Sequence, residues 1–430
     1  MSSIKLKGDT SGEINISAPA VAGTNTLTLP ASTGTVALSS TGGVDTNTGI
    51  GDGTFSSITT GANNTAVGKD ALTANTTGDL NTAVGRDALK SNTTANSNNA
   101  FGREALRDNT TGTNNTAMGV SALSSTTTGS SNTGIGTSAL RKNTTASSNT
   151  AVGHQALDAN TTGSLNTAVG KSALATNQTG GDNAAFGNNA LSVATGSRNT
   201  ALGYNSLTAT TTGQENTAVG FASLSSNTTT SECTAVGRSA LAANTTGRSG
   251  TGIGFEALKS NTTGEYNVGI GYGSGGNITT GSGNISINDY ATRGAGARIF
   301  NTTTESDKIV MGHNYVSSAY VKVSWTVTSD ERDKTNFNSI PHGLAFVNDL
   351  KPIEYTFRRT RGSEETNGNP RYGFKAQDIL ALEGKNPIII DNEDKDNLKY
   401  NGESLVPVLV NAIQELSAKV KELENQLQGK

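Results

Sequence analysis

The chain has 430 residues, of which 33% are hydrophobic and only 5% aromatic, while 52 are glycine. A soluble globular domain usually carries close to half apolar residues, so we expect little core within one chain. The formal net charge of −3 gives no basic footprint for nucleic acid. The single cysteine, Cys233, excludes an internal disulfide and a cysteine-based metal site. The histidines His154, His313 and His342 lack ligand spacing, so we expect no metal and no cofactor.

Targeting signals are missing from the visible sequence. The start Met1–Lys5 shows no secretory signal, and no apolar run is long enough to cross a bilayer. We therefore expect a product assembled in a cytoplasm, with no membrane insertion.

Residues 1–60 form the first predicted region. The segments Gly12–Pro19 and Thr26–Pro30 alternate or nearly alternate apolar and polar residues, which predicts two short strands. The region resembles the N-terminal leader of many phage tail-fibre-like proteins. That resemblance implies attachment to a phage tail or baseplate protein; without it, the region is only a small β segment.

Residues 61–273 are predicted to be a repetitive shaft. A unit of the form Asn-Thr-Ala-Val-Gly-x-x-Ala-Leu-x-x-Asn-Thr-Thr-Gly recurs with a period of 17, apart from a single spacing of 16. So short a period predicts a β-solenoid or β-roll. The central glycines are Gly68, Gly85, Gly102, Gly119, Gly136, Gly153, Gly170, Gly187, Gly203, Gly220, Gly237, Gly254 and Gly271.

Two apolar columns are the predicted core of the shaft. One is the residue before each central glycine, such as Val67, and the other is the leucine five positions later, such as Leu72. The central glycine and the Asn-Thr-Thr-Gly segment are the two predicted corners, where left-handed backbone is tolerated. The asparagine four residues before the glycine predicts a ladder along the stack, with Cys233 as an inert, buried substitute.

The short unit between Leu191 and Gly196 lacks one residue relative to its neighbours. Because corners absorb length changes that strands resist, we expect both core columns to stay in register.

Two large apolar residues per unit hardly offset the backbone entropy of ordering it, so we expect a homotrimer that buries these columns together. The repeat is similar to the head repeats of trimeric bacterial adhesins, although its period differs.

Several motifs inside the period carry no chemistry. Gly134-Ile135-Gly136 and Gly252-Ile253-Gly254 match part of a dinucleotide fingerprint but lack a βαβ context, and Gly170-Lys171-Ser172 lacks the upstream glycine of a P-loop. The Asn-Thr-Thr triplets are corners rather than glycosylation sites. Threonine columns leave ice binding as a minor alternative. The paired carboxylates among aromatics of a carbohydrate-degrading tailspike are missing from the array.

Residues 274–328 are predicted to be a denser β tip. Strand-like runs end in the larger residues Tyr315, Tyr320 and Trp325, which makes this region the preferred site of contact with a host receptor, expected to be a polysaccharide. A simple packing transition between two domain types is the alternative.

Residues 329–430 differ in composition and end in a helical pattern. The blocks Ser329–Asn336, Leu344–Tyr355, Tyr372–Asp378 and Ala412–Leu416 resemble, in order, the intramolecular chaperone domain of endosialidases and phage tail spikes, the self-cleaving S74 peptidase family. The resemblance implies a small α+β domain that assists trimerisation and then releases itself.

The resemblance also assigns roles around one peptide bond. It implies that Ser329 attacks the Thr328–Ser329 bond and that Lys334 acts as base, with Asp330 orienting or polarising the pair. Lys334 must lose its proton, which requires desolvation or a cationic neighbour such as Arg332. The alternative is that Ser329 merely caps a helix.

The final helix places leucine or isoleucine-type residues at both seam positions of a heptad, which predicts a coiled coil. The seam consists of Leu409, Ile413, Leu416, Val420, Leu423 and Leu427.

We therefore expect a mainly β, trimeric phage tail fibre of the virion, which binds a host receptor and whose chaperone is released by a single self-cleavage. The alternatives are an uncleaved virion spacer and, third, a carbohydrate-degrading tailspike.

Overall fold

The computed structural model describes residues 4–7, 13–16, 46–289, 302–313, 329–358, 362–393 and 398–429, with residues 316, 319, 320, 322 and 395 between them. At the N-terminus, strands β1 (Ile4–Lys7) and β2 (Glu13–Ile16) pair antiparallel. Strand β2 lies within the first predicted strand, and the second, Thr26–Pro30, lies outside the described residues.

The shaft is one parallel sheet of 16 strands, in which each strand pairs only with its neighbours in sequence. Each strand is three residues long, and at the usual spacing of about 4.8 Å the sheet is roughly 70 Å long. The strands β3 to β18 are Thr48–Ile50, Thr65–Val67, Thr82–Val84, Asn99–Phe101, Thr116–Met118, Thr133–Ile135, Thr150–Val152, Thr167–Val169, Ala184–Phe186, Thr200–Leu202, Thr217–Val219, Thr234–Val236, Thr251–Ile253, Val268–Ile270, Ile285–Ile287 and Ile309–Met311.

This sheet confirms the predicted β-solenoid with a 17-residue repeat. It also runs past both predicted shaft bounds, because β3 precedes residue 61 and β17 and β18 follow residue 273. Two of the large residues of the predicted tip, Tyr315 and Trp325, lie outside the described residues, while Tyr320 is almost fully exposed.

The predicted leucine column is confirmed as core, but the column before the glycine is not core. Leu72 and its equivalents have no exposed surface, whereas the middle residue of each strand, in most turns an alanine such as Ala66, points inward and the following residue, such as Val67, points outward. Along most of the sheet this inward position holds only alanine or glycine. A methyl group added at Gly134, which replaces the alanine, would lie 3.2 Å from the Ala139 carbonyl oxygen and from Leu123 Cγ.

The predicted glycine corner is present, since Gly68 and its equivalents have φ near +130°. The prediction of left-handed backbone at Asn-Thr-Thr-Gly is wrong, because Asn75 and Gly78 are not among the residues of the described chain that have a positive φ. Left-handed residues instead include the core leucine, with Leu72 at φ +51°.

The asparagine ladder is confirmed and is accompanied by a second one. In the first, the Asn81 backbone N–H donates to Asn64 Oδ1 at 2.9 Å, and this contact repeats along the stack. The second ladder consists of the asparagines of the Asn-Thr-Thr corners; Asn92 Nδ2 donates to Asn75 Oδ1 at 3.1 Å. Both sets are buried, so hydrogen bonds replace part of the missing apolar core.

Cys233 occupies the ladder position as predicted. Its side chain is buried, its backbone N–H donates to Asn216 Oδ1 at 3.0 Å, and burial raises the pKa of its thiol.

The short unit keeps its register, as predicted. Strand Ala184–Phe186 pairs residue for residue with Thr200–Leu202, and Leu191 and Leu207 are both buried. The lost residue therefore falls in the corner.

The C-terminal region is a small α+β domain. Helices α1 (Leu344–Asp349), α2 (Ala376–Glu383) and α3 (Leu405–Gln428) accompany hairpins β19–β20 (Ile353–Arg358, Thr366–Gly373) and β21–β22 (Ile390–Asp391, Lys399–Tyr400), with 3-10 turns at Glu331–Asp333 and Gly402–Ser404. One cluster of buried side chains joins α1, α2, β21 and α3: Phe346, Ile379, Ile389, Ile390, Leu405 and Val408.

Only the start of α3 contributes to this cluster. Leu405, Val408 and Ala412 are buried, but every residue from 413 to 429 is exposed. None of the helices in the described residues is both long and apolar enough to span a membrane.

Candidate functional site

The predicted nucleophile and base are in direct contact. Lys334 Nζ donates a hydrogen bond to Ser329 Oγ at 2.6 Å. The 3-10 turn Glu331–Asp333 brings them together, and the Lys334 backbone N–H closes the turn by donating to the Glu331 carbonyl oxygen at 3.1 Å. The pairing thus follows from local structure.

Asp330 stabilises this turn. It is the N-cap residue, and its Oδ1 accepts the Arg332 backbone N–H at 2.9 Å. Its carboxylate also binds the Arg332 guanidinium, with Oδ2 2.6 Å from Nη2. These contacts lower the pKa of Asp330 and raise that of Arg332.

The contacts of Asp330 bear on two expectations from the sequence. The Asp330 side chain accepts hydrogen bonds from Arg332, so it can orient the pair through the turn rather than by touching Ser329 or Lys334. The same carboxylate neutralises the positive charge of Arg332, so Arg332 does not act as an unpaired cationic neighbour of Lys334.

Solvent exposure is the main chemical limitation of the site in a single chain. All residues from 329 to 341 are exposed, including the apolar side chains of Phe337 and Ile340. A lysine base requires desolvation, and this chain alone does not supply it. Thr328, on the other side of the predicted scissile bond, lies outside the described residues.

A groove of about 600 Å³ lies between the segment that follows the Ser329–Lys334 pair and the start of α3. Its walls combine apolar and amide side chains: Asn338, Ser339, Ile340, Val406, Pro407, Val410, Asn411 and Gln414. Together with Phe337, it leaves an uncovered apolar surface close in sequence to the candidate dyad.

Helix α3 also anchors the chain beyond this groove. Asn411 Nδ2 donates to the His342 carbonyl oxygen at 2.9 Å, and the Leu344 backbone N–H donates to Glu415 Oε2 at 2.8 Å. Sequence reasoning missed both roles. The sequence pattern assigns Gln414 and Glu415 only to the terminal helix block Ala412–Leu416.

A third anchoring residue, Glu383 at the end of α2, was also missed. Its carboxylate accepts the backbone N–H groups of three consecutive residues, Ile388, Ile389 and Ile390, at 2.6–3.0 Å. This carboxylate fixes the loop between α2 and β21. No sequence pattern signalled it.

Comparison with known proteins identifies the segment that contains this site. A family model for the peptidase S74 domain, described as chaperone of endosialidase, matches residues 329–384. No curated protein matches the chain. The match begins at Ser329 and ends just after α2, so residues 329–384 carry an S74 chaperone segment that follows the β-solenoid shaft.

Proposed function

We propose that the chain is a homotrimeric phage tail-fibre protein whose C-terminal domain acts as an intramolecular chaperone and is released by cleavage of the Thr328–Ser329 bond. The observation that carries this proposal is the 2.6 Å contact between Lys334 Nζ and Ser329 Oγ at the first residues of the S74 match. Ser329 is the nucleophile and Lys334 the base in this proposal, and no outside substrate is involved.

Support for a trimer comes from an apolar stripe on the outer face of the sheet. The stripe consists of the last residue of every shaft strand, and none of these side chains is buried within the chain. Soluble monomers rarely expose so long a continuous apolar patch. The members are Ile50, Val67, Val84, Phe101, Met118, Ile135, Val152, Val169, Phe186, Leu202, Val219, Val236, Ile253, Ile270, Ile287 and Met311.

The exposed half of α3 points to the same assembly. Residues 413–429 are helical without burial, although an isolated helix of this length is marginal in water. The predicted seam from Leu409 to Leu427 is exposed along its length. Association of three such helices would bury the seam.

Assembly also accounts for the timing of cleavage. Since the chain alone leaves Lys334 in solvent, neighbouring chains covering Phe337 and Ile340 would desolvate the amine. Cleavage would then occur only in correctly assembled trimers.

The mature fibre belongs to the virion in this proposal. Its N-terminal segment attaches to a tail or baseplate protein, and its shaft and distal region contact a host-surface receptor, a polysaccharide. The resemblance of residues 1–60 to tail-fibre leaders supports the attachment, and the repetitive β-solenoid shaft supports the fibre role.

The exposure of the dyad favours one second candidate, a structural spacer that is never cleaved. Denaturing gels of the wild type beside Ser329→Ala and Lys334→Gln separate the two functions. We expect the wild type to yield fragments 1–328 and 329–430, and both variants to stay intact at 43.8 kDa. Ser339→Ala, an exposed serine in the same segment, is the control and should cleave. An intact wild type in trimeric preparations would establish the spacer.

A further inference from the structure

Five consecutive turns of the shaft carry a ladder of planar side chains at the position after the central glycine. Its members are Tyr204, Phe221, Arg238, Phe255 and Tyr272. The Tyr204 and Phe221 rings stack with centroids 5.4 Å apart, and those of Phe255 and Tyr272 are 4.9 Å apart. Between the pairs, Arg238 Cζ lies 5.6 Å from the Phe221 centroid and 5.5 Å from that of Phe255. We refer to these five residues as the planar ladder.

Arg238 differs from the other arginines of residues 46–289 in having aromatic rings as neighbours in place of a carboxylate. The other six each have a carboxylate oxygen within 4.0 Å. These paired residues are Arg86, Arg103, Arg107, Arg141, Arg198 and Arg248. Arg238 is exposed, and within the described chain its guanidinium has no ion pair.

The stacking decides which part of the planar ladder a ligand can reach. The rings of each pair stack face to face and the Arg238 Cζ lies over the two inner rings, so a sugar or base has no free aromatic face to stack on along the middle of the ladder. The edges face outward, and an aromatic edge carries positive partial charge. The N–H groups of an arginine guanidinium lie in one plane and can form paired hydrogen bonds with a carboxylate. The ladder therefore suits a carboxylate approaching edge-on.

A shallow groove of about 530 Å³ adjoins this edge. Two of its residues, Ser239 and Glu256, directly follow Arg238 and Phe255 in the chain. The Glu256 carboxylate is neutralised by Lys259 at 2.6 Å, so it does not repel an anion fully. The remaining lining consists of the hydroxyl-bearing residues Ser225, Ser226 and Ser260, with Ala242 and Ala243 between them.

We propose that the planar ladder and this groove form a binding site for a carboxylate-bearing polysaccharide, with Arg238 binding a carboxylate and the serines binding sugar hydroxyls. The hydroxyl-lined groove favours a saccharide over an acidic peptide. This inference rests on the proposed receptor-binding function, and it places one of the proposed contacts on the side of the shaft, in addition to the distal region.

Binding of the full-length trimer to immobilised polygalacturonate tests the site, with neutral dextran, dextran sulfate and polyglutamate as comparison polymers. We expect Arg238→Gln to weaken polygalacturonate binding by about tenfold or more, the effect of losing a charged hydrogen bond. Arg238→Lys should recover only part of the loss because it lacks the planar fork. Arg198→Gln removes the same charge at a paired position and should bind like the wild type.

Three results would overturn the inference. They are unchanged binding by Arg238→Gln, an equal loss in Arg198→Gln, and equal or tighter Arg238-dependent binding of polyglutamate or dextran sulfate. The first two would assign binding to overall charge, and the third would assign the site to an acidic protein or to any polyanion. Trimer mass and self-cleavage measured on the same preparations report separately on the fibre function, so either idea can fail alone.

Discussion

The apolar stripe on the shaft gives a direct test of trimer assembly through Phe186. This residue is 39% exposed in the single chain. A phenylalanine can bury roughly 150–250 Å². The exposed part therefore corresponds to about 60–100 Å², or about 1.5–2.5 kcal/mol at about 25 cal/mol per Å².

Because the substitution Phe186→Ala is repeated in each chain, it should weaken a trimer by about 4–8 kcal/mol if the copies act independently. The measurement is the urea midpoint of trimer dissociation, followed by light scattering. Phe186→Asp, which places three charges at the interface, should prevent assembly outright.

Leu165→Ala is the matched control. Leu165 is 60% exposed but lies outside the stripe, so its substitution should leave the dissociation midpoint within experimental error of the wild type. If Leu165→Ala and Phe186→Ala lower the midpoint equally, or if the wild type is a monomer, the stripe is not the interface between chains.

Two further predictions concern stability within one chain. Gly153→Ala should destabilise the shaft by about 3 kcal/mol or more, because φ at Gly153 is +136° and the added Cβ would lie 2.6 Å from the Gly170 carbonyl oxygen. Gly250→Ala is the control: its added Cβ would lie 3.4 Å from the nearest atom, so this variant should destabilise the shaft by under about 1 kcal/mol. Equal thermal midpoints for these two variants would contradict the corner geometry. Glu383→Ala should destabilise the chaperone domain by about 3 kcal/mol or more in urea unfolding, since three backbone donors lose their acceptor, whereas Glu422→Ala on the exposed part of α3 should change stability by under about 0.5 kcal/mol. A similar effect of both would show that the loop does not depend on this carboxylate.

The sequence predicts the shaft well because its 17-residue period determines which residues lie above one another in successive turns. Once turns repeat every 17 residues, equivalent side chains must stack, so Leu72 and Asn64 each define a column. It is harder to predict which residues of each three-residue strand face the interior. Hydrophobicity alone places Val67 inside and Ala66 at the margin, but in most turns the space between the leucines holds only an alanine or a glycine. The space available inside the shaft, which a hydrophobicity scale does not describe, places the alanine inside and the valine outside.

The candidate site shows a similar division. The family resemblance pairs Ser329 with Lys334, and a single 3-10 turn brings the two side chains into contact, while their catalytic roles stay a prediction. It does not reveal that Asp330 binds Arg332, since that depends on side-chain rotamers within the turn. Desolvation of Lys334 is not provided by its own chain, where residues 329–341 are exposed; in the proposed trimer it would come from neighbouring chains.

The one-to-one pairing of successive shaft strands makes the length of the fibre adjustable in fixed steps. Duplication or loss of one whole unit leaves every ladder contact, such as Asn64 with Asn81, with an equivalent partner. Each such event changes the rod by about 4.8 Å, the distance between neighbouring strands. The length of the shaft can therefore change by recombination between repeats, without any new packing solution.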